Sequence, residues 1–500
     1  MSETLPPGYR PLDRDDARPG KKSAKKKPKG RTDGIGIAAA MDRINRRHGV
    51  VLVGGKALVL RESLDAQGRP DIALLSADAF NLWFANEKYE VNGGYVSVGP
   101  LWLNSPKRQQ YRGICFSPEG VANDDDSGES APWYNLWKGF AFDPRKGGKY
   151  TIFLDHIQNN ICQGDKDLYG WVIAWFAHMF QKPTERLGTA LVLRGEQGTG
   201  KTIIGKIIGR LLGRHYMLID SPHYLTGNFN AHMKAVILLQ ADEGFWAGDK
   251  EAEGRLKGLV TSDYQMIEAK NVDAVPMRNL VRLLISSNNE WVVPSGFEER
   301  RFAVLDVGAG VKQNRAYFRE MQEEMEAGGY EALLDYLLTL DLSALPDPAV
   351  VPKTDALLEQ KIESMNPEFS FWFEALQRGS PFFGESKWLT EIPKDQIFSA
   401  YLKQAERIGV KRRAGETKFG RELHKLVPGL AVVRREVSAP NEMGEPIMKR
   451  RRCYLVPDLA ACRAAFEAKV GHRVAWEAVD PAPGADENAT ESDDFRAEDY

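Results

Sequence analysis

Eight consecutive residues have the types and spacing of a phosphate-binding loop, Gly-x4-Gly-Lys-Thr. They are Gly195, Glu196, Gln197, Gly198, Thr199, Gly200, Lys201 and Thr202. Glycines let the backbone bend so that successive N–H groups face phosphate oxygens, and the start of a following helix adds partial positive charge. In this chemistry Lys201 reaches the β- and γ-phosphates, and the Thr202 hydroxyl binds Mg²⁺. The sequence therefore predicts a nucleotide-triphosphate site.

The segments on either side of this loop are those that the motif requires. The apolar run 190–193 predicts a strand before it, and apolar residues at helical spacing over 203–212 predict a helix after it. The alternative is a chance match in a glycine-containing turn, which the strand–loop–helix context makes rare.

A second apolar run ends in two acidic residues about forty positions later. Residues 235–241 predict a buried strand, and Asp242 and Glu243 follow it. Hydrolysis requires an acidic site for Mg²⁺ and for the attacking water. We expect Asp242 to hold the metal and Glu243 to polarise the water. The alternative is a core strand with a solvated acidic end; a phosphate-binding loop at this distance favours hydrolysis.

Two further segments supply candidate catalytic side chains. Residues 280–285 predict a third strand, and Asn288 follows it, where its amide could lie between the γ-phosphate and the water. The alternative is an asparagine that caps a turn. Arg300 and Arg301 precede the strand 303–305, and either could reach the γ-phosphate of a neighbouring subunit. The alternative is a pair of surface salt-bridge residues.

These motifs resemble those of superfamily 3 helicases of the AAA+ class, in particular the helicase parts of phage, prophage and plasmid primase-helicases. The resemblance covers residues 135–310 most clearly. It implies a homo-hexameric ring that uses ATP and Mg²⁺ to move along DNA in a bacterial host cytoplasm. It assigns Asn288 as a sensor of the γ-phosphate and Arg300 or Arg301 as the arginine finger in trans.

The same resemblance places a DNA-contacting hairpin between the acidic pair and the sensor strand. Lys270 is its candidate for gripping a phosphate in the pore; the alternative is a solvated loop lysine. Many relatives carry a primase or polymerase domain ahead of the helicase. The first 120 residues are too short for that domain, so we expect priming to come from a separate primase or polymerase.

The C-terminal third predicts a second DNA-binding element. Residues 397–408 and 417–426 have helical spacing, and 430–437 and 447–456 read as a β-hairpin. Helix, helix and hairpin in that order are typical of a winged helix. The alternative is a packing domain with a solvated basic face. The candidate phosphate contacts are Lys418, Arg421, Arg450 and Arg451.

Together, the predicted segments and the resemblance imply an α/β protein with an AAA+ P-loop ATPase core, an N-terminal α+β domain and a C-terminal winged-helix domain. A net charge of −2 conceals a basic N-terminus and an acidic C-terminus, both of which read as disordered. Four widely separated cysteines show no zinc spacing, and no apolar stretch is long enough to cross a membrane. The predicted segments are a basic tail 1–34, a small α+β domain 35–120, a loop and helical segment 121–180, the ATPase core 181–310, a helical connector 311–365, a winged-helix-like domain 366–470 and an acidic tail 471–500.

The leading functional hypothesis is an ATP-dependent DNA helicase that acts in replication of a phage, prophage or plasmid. The alternative is an AAA+ ATPase switch that binds DNA or protein without unwinding. A P-loop kinase or GTPase fits poorly, because neither explains the acidic strand end together with the Ser-Ser-Asn strand tip.

Overall fold

The computed structural model describes most of the chain. Outside the described residues lie most of both predicted tails, the loop 121–130 and the candidate residues Glu243 and Lys270. The chain divides into two compact units, Met1–Arg112 and Gly113–Tyr500. Among the described residues, no helix is both long and apolar enough to cross a bilayer. The described residues are 34–64, 70–120, 131–221, 224, 227, 230–242, 250–269, 272–293, 296, 299–385, 387–440 and 446–477.

The N-terminal unit contains a four-stranded sheet in the order β3-β2-β1-β6 and a separate hairpin, β4-β5. Strands β1 and β2 form a hairpin that turns at Gly54 and Gly55: Val53 pairs with Lys56, and both glycines have positive φ, as a tight two-residue turn requires. The elements are α1 Gly34–Asn45, β1 His48–Val53, β2 Lys56–Leu64, β3 Pro70–Leu75, α2 Ala77–Trp83, β4 Lys88–Val91, β5 Gly94–Ser97, α3 Val98–Leu103 and β6 Gln110–Tyr111.

The larger unit is built on a parallel five-stranded sheet in the order β10-β11-β14-β9-β15. Four of its strands, β9, β11, β14 and β15, overlap the predicted apolar runs and are buried almost throughout, as expected when helices cover both faces. Strand β10 was not predicted and is partly exposed. The elements of this sheet are β9 Ala190–Arg194, β10 Tyr216–Ile219, β11 Leu238–Asp242, β14 Arg282–Ser287 and β15 Phe302–Asp306. Two short strands, β7 Gly113–Cys115 and β8 Trp133–Asn135, pair outside it, and β12 Tyr264–Ala269 and β13 Val272–Arg278 form a hairpin.

Helices surround this sheet, and two of them contain irregular turns. The helix after β8 changes from α to π geometry at His156, and a kink with Gly328 at φ 99° separates two later helices. The helices are α4 Thr151–Asp155 with the π-turn His156–Ile161, α5 Lys166–Gln181, α6 Lys201–Leu212, α7 Lys250–Thr261, α8 Arg315–Glu324, α9 Tyr330–Thr339 and α10 Asp355–Glu363; 3₁₀ turns span Gly213–His215, Ala231–Met233 and Leu342–Ala344.

The C-terminal part has its own apolar core around Trp372, Tyr401 and Phe419. The predicted order of helix, helix and hairpin is present, and a third short strand extends the hairpin into a sheet of order β16-β18-β17. The elements are α11 Pro367–Arg378, β16 Glu391–Pro393, α12 Lys394–Arg407, α13 Glu416–Leu426, β17 Ala431–Pro440, β18 Pro446–Leu455 and α14 Leu459–Val470.

Candidate nucleotide-binding site

The glycine-rich loop joins β9 to α6 at the carboxyl edge of the parallel sheet. Lys201, which is 5% exposed, begins α6. Its ammonium donates to the carbonyl oxygens of Gly195 (2.7 Å) and Glu196 (2.6 Å) and to Oδ1 of Asn288 (2.8 Å). Asn288 follows β14, which lies beside β9 in the sheet. The predicted sensor and the loop lysine therefore meet.

A second pair of predicted residues meets next to Lys201. The Thr202 hydroxyl lies 3.0 and 3.1 Å from the two carboxylate oxygens of Asp242, the last residue of β11. Since β9, β14 and β11 are parallel, their carboxyl ends lie on one edge, which is where open α/β sheets bind ligands. Glu243, the other acid of this pair, lies outside the described residues.

Beside these residues lies a cleft of about 490 Å³, here called the nucleotide cleft. Lys206, Phe318 and Gln322 also line it, although no sequence motif marks them. The amide nitrogen of Gln322 donates to Glu326 (2.8 Å) and to the Tyr330 hydroxyl (3.2 Å), which fixes its orientation. The predicted residues in the lining are Gln197, Gly198, Gly200, Lys201, Thr202, Asp242 and Asn288.

The π-turn braces the loop from behind. His156 is fully buried, and its Nε2 donates to the Gly200 carbonyl (3.3 Å), while the Asn160 amide donates to the Thr199 carbonyl (2.8 Å). Burial lowers the pKa of His156, because the charged ring would be poorly solvated there. Gly200 has φ 89°, and a Cβ at this position would lie 2.6 Å from the His156 ring. Glycine is thus required for both conformation and space.

Two polar side chains hold the strand ends that carry the site. Arg194 makes a two-point ion pair with Asp306 (2.5 and 2.7 Å), at the ends of adjacent strands. Gln240 is fully buried; its amide donates to the Thr202 carbonyl (3.1 Å) and its Oε1 accepts from the Tyr216 hydroxyl (2.6 Å). Sequence reasoning missed both. A polar residue within an otherwise apolar strand is the sequence signal that could have indicated them, because a buried polar group requires a hydrogen-bond partner.

The two candidate finger arginines lie at the amino ends of the strands, the opposite end of the sheet from the glycine-rich loop. They directly precede β15, and the Arg301 carbonyl accepts from the first residue of β9, Ala190 (2.7 Å). Strand β9 runs from there to the loop, so its five residues, roughly 17 Å, separate these arginines from the loop of their own chain. The Arg301 guanidinium contacts buried Glu299 (3.4 Å), whereas Arg300 is exposed.

The four described DNA-contact candidates fall into two groups. Lys418 forms an ion pair with buried Glu368 (2.8 Å), and Arg451 with Asp395 (2.6 Å). Arg421 on α13 and Arg450 on β18 are exposed. The fifth candidate, Lys270, lies outside the described residues.

The donor set beside Lys201 suits a hard cation that keeps most of its water. Within the described ranges no cluster of three or more histidine, cysteine, aspartate or glutamate side chains could hold a metal on its own. Mg²⁺ does not need one, because it is commonly held by one or two protein oxygens together with phosphates and water. The Thr202 hydroxyl and the Asp242 carboxylate, 3.0 Å apart, are oxygens of that kind.

Comparisons with known proteins agree with this architecture. A family of unknown function, DUF5906, matches residues 193–301. Over 226 residues, 43% of this chain, the sequence is 24% identical to a DNA primase-polymerase of Nitratiruptor phage NrS-1. The matched segment spans 31% of that relative's length.

Solved structures of an NrS-1 C-terminal region share the fold of this chain. An apo structure has a TM-score of 0.56 at 16% identity and covers 85% of this chain and all of that chain. A second, described as the A form, has a TM-score of 0.54 at 16% identity and covers 83% and 98%. A mixed α/β fold with a parallel sheet is therefore common to these chains.

Proposed function

We propose that this chain is an ATP-hydrolysing DNA motor of phage replication, of the superfamily 3 AAA+ type. The observation that carries the proposal is the meeting of Lys201, Asn288 and the Thr202–Asp242 pair at the carboxyl ends of three adjacent parallel strands. Similarity to a phage primase-polymerase supports the replication setting. Lys201 binds the β- and γ-phosphates, Asn288 contacts the γ-phosphate, and Glu243 orients the attacking water.

Mg²⁺ held by Thr202 and Asp242 would neutralise phosphate charge. The protein residues do the positioning. The braced loop fixes the phosphates. Asn288, just after β14, accepts a hydrogen bond from Lys201 (2.8 Å), so a phosphate bound by Lys201 changes the position of the Asn288 side chain. The phosphate-binding loop, the acidic strand end and the polar strand tip are what an ATPase needs to distinguish a nucleoside triphosphate from its hydrolysis product.

We propose further that the site is completed by a neighbouring subunit in a ring. Support comes from Arg300, which is exposed at the edge of the sheet opposite to the loop and can therefore serve another chain's site rather than its own. Arg301 is tied to Glu299, so Arg300 is the better finger. The arginine would stabilise charge on the γ-phosphate in the transition state.

ATPase and forked-duplex unwinding assays test the motor. We expect Lys201→Ala and Glu243→Gln to abolish ATPase and unwinding, and Lys270→Ala to keep basal ATPase but lose unwinding. Lys166→Ala, a surface change on α5, is the matched lysine control. Wild-type protein that hydrolyses ATP but separates no strands at any salt concentration would instead support the ATPase switch, and wild-type protein without ATPase would refute both.

Mixed subunits test the shared site. Neither Arg300→Ala nor Lys201→Ala chains should hydrolyse ATP alone, but a mixture should recover part of the activity, because some interfaces then pair an intact loop with an intact arginine. Arg301→Ala chains should retain more activity than Arg300→Ala chains. A mixture with no recovery would refute sharing between subunits.

A further inference from the structure

A surface groove in the C-terminal part is not used by the proposed motor. It has a volume of about 680 Å³ and lies between the loop 379–385 and the outer face of α12. We name it the Phe383 groove. The side chains that define it are Arg378, Phe382, Phe383, Lys403, Gln404 and Arg407. It is larger than the nucleotide cleft, and its lining combines aromatic, cationic and amide groups.

Phe383 gives the groove an open aromatic ring. The side chain is 76% exposed, although a phenylalanine normally buries most of its surface. Its nearest recorded ring partners are charged: the guanidinium carbons of Arg407 and Arg378 lie 4.6 and 5.9 Å from the ring centroid. These cations steady the ring without burying it, so much of its π surface is available for another planar group.

The charge of the groove favours an anionic occupant. Arg378, Lys403 and Arg407 line it, and Glu385 is the one carboxylate among the described lining residues. A second carboxylate, Glu374, holds the two guanidinium groups at 3.1 and 3.7 Å and orients them. Each guanidinium has five N–H donors, so this bridge leaves donors on both arginines for a phosphate.

The groove also contains an unsatisfied amide. Gln404 is 8% exposed, and its Nε2 has no hydrogen-bond partner in the part of the chain that the structure describes. This nitrogen is closed to solvent as the side chain stands, so Gln404 would have to rotate toward the groove to donate to a bound acceptor. Base oxygens and ring nitrogens are acceptors of this kind, whereas an aliphatic ligand would offer none.

A stacking ring, cations and an amide donor are together what a single DNA strand requires. A duplex cannot use the ring, because its bases are already stacked on each other. An acidic peptide could use the cations and the amide but would leave the ring without a planar group to stack on. We propose that the Phe383 groove binds single-stranded DNA, with a base stacked on Phe383 and the adjoining phosphates on Lys403 and Arg407. This site is separate from ATP hydrolysis and does not depend on it.

Binding of a fluorescent twenty-nucleotide oligothymidylate to the full chain tests the proposal. We expect Phe383→Ala to weaken this binding about tenfold, since stacking on an aromatic side chain contributes that order of affinity, and Phe383→Trp to restore it. Lys403→Ala should weaken this binding about threefold. It should also lower the slope of log affinity against log salt concentration by the amount that about one phosphate contact contributes. Affinity for a twenty-base-pair duplex should change less than twofold.

Trp83→Ala is the matched control. Trp83 is 61% exposed and carries Arg61 at 4.7 Å, so it is also an arginine-stacked surface aromatic, but it lies in the other unit. This variant should bind the strand as wild type does. Thermal unfolding of Phe383→Ala should match wild type, because the ring is exposed.

Photo-cross-linking locates the strand directly. An oligothymidylate with 5-iododeoxyuridine should cross-link to the peptide that contains Phe383, and the cross-link should be lost in Phe383→Ala. Unchanged oligothymidylate affinity in Phe383→Ala, or cross-links confined to other segments, would refute the proposal and would favour a protein occupant. Neither result depends on ATPase activity, so failure here is distinguishable from failure of the motor.

Discussion

The nucleotide cleft and the C-terminal basic surface both present cations, but they hold them differently. In the cleft, Lys201 is 5% exposed and donates to the carbonyl oxygens of Gly195 and Glu196 and to the Asn288 side chain. On the C-terminal part, Arg450 is exposed on a strand and Arg407 is held by one carboxylate at 3.7 Å. A small anion that must react needs a fixed lysine, because misplacement by an ångström is costly. A polymer needs several adaptable contacts, so loosely held cations serve it well.

The largest expected effect separates the two regions. Lys201→Ala should lower ATPase at least about 100-fold, since it removes a preorganised charge from the reacting phosphate. Binding of an oligothymidylate should stay within twofold of wild type, because that contact lies on the other region. The measurements are steady-state ATPase and fluorescence anisotropy. Loss of strand binding in this variant would show that the two regions are not independent.

Low pH should lower the free energy of unfolding through the part of the chain that carries the nucleotide cleft, and it should leave strand binding at the Phe383 groove nearly unchanged. Burial lowers the pKa of His215 to about 4, while its Nδ1 donates to the Ala235 carbonyl (2.9 Å) and its Nε2 accepts from the Lys138 N–H (3.3 Å). The neutral ring is favoured in the folded state, so its stabilising contribution is complete above pH 6.5 and is lost as the pH falls through 4. We expect the free energy of unfolding to drop by about 2 kcal/mol between pH 7 and pH 5 from this residue.

Chemical denaturation at both pH values, with His215→Phe for comparison, checks this expectation. The variant should show a smaller pH dependence. Strand binding at the Phe383 groove should change little over the same range, because no histidine is among the described residues that line it. An equal pH dependence in the wild type and the variant would contradict the assignment to His215.

A smaller effect should follow from loosening the brace behind the loop. Asn160→Ala leaves the Thr199 carbonyl without its side-chain donor, so we expect unfolding free energy to fall by about 1 kcal/mol and the KM for ATP to rise several-fold. Asn159→Ala is the neighbouring control, because that amide donates only to Asp155 on the surface (2.6 Å). Similar ATP kinetics in the two variants would count against a role for the π-turn.

The smallest expected effect concerns two neighbouring arginines on the hairpin. Arg450→Ala should weaken duplex binding about threefold and lower the salt slope by about one unit, as loss of one phosphate contact does. Arg451→Ala should have less effect, because its guanidinium is engaged by Asp395 at 2.6 Å. Anisotropy titrations at several salt concentrations compare them. The reverse order would mean that the ion pair opens to receive DNA.

The parts of the site that were predictable from sequence are those set by local pattern. The loop, Asp242 and Asn288 each follow an apolar run, and parallel strands bring such run ends together without further information. His156, Asn160 and Phe318 were not predictable, because each reaches the site through a helix whose placement depends on tertiary packing. Likewise, nothing near Lys418 in sequence indicates that Glu368, fifty residues earlier, would bind it.

The hydrogen bond between Lys201 and Asn288 has a consequence for how DNA movement would be coupled to ATP hydrolysis in the proposed motor. A phosphate that reaches Lys201 competes with the oxygens bonded to it, and one of these, the Asn288 Oδ1, belongs to a side chain that can turn away. In the proposed motor, nucleotide affinity and the position of Asn288 at the end of β14 would therefore be linked. Linkage is reciprocal, and three residues separate the hairpin β12–β13 from β14. In the proposed motor, a load on that hairpin would therefore change nucleotide affinity, and bound nucleotide would shift the hairpin.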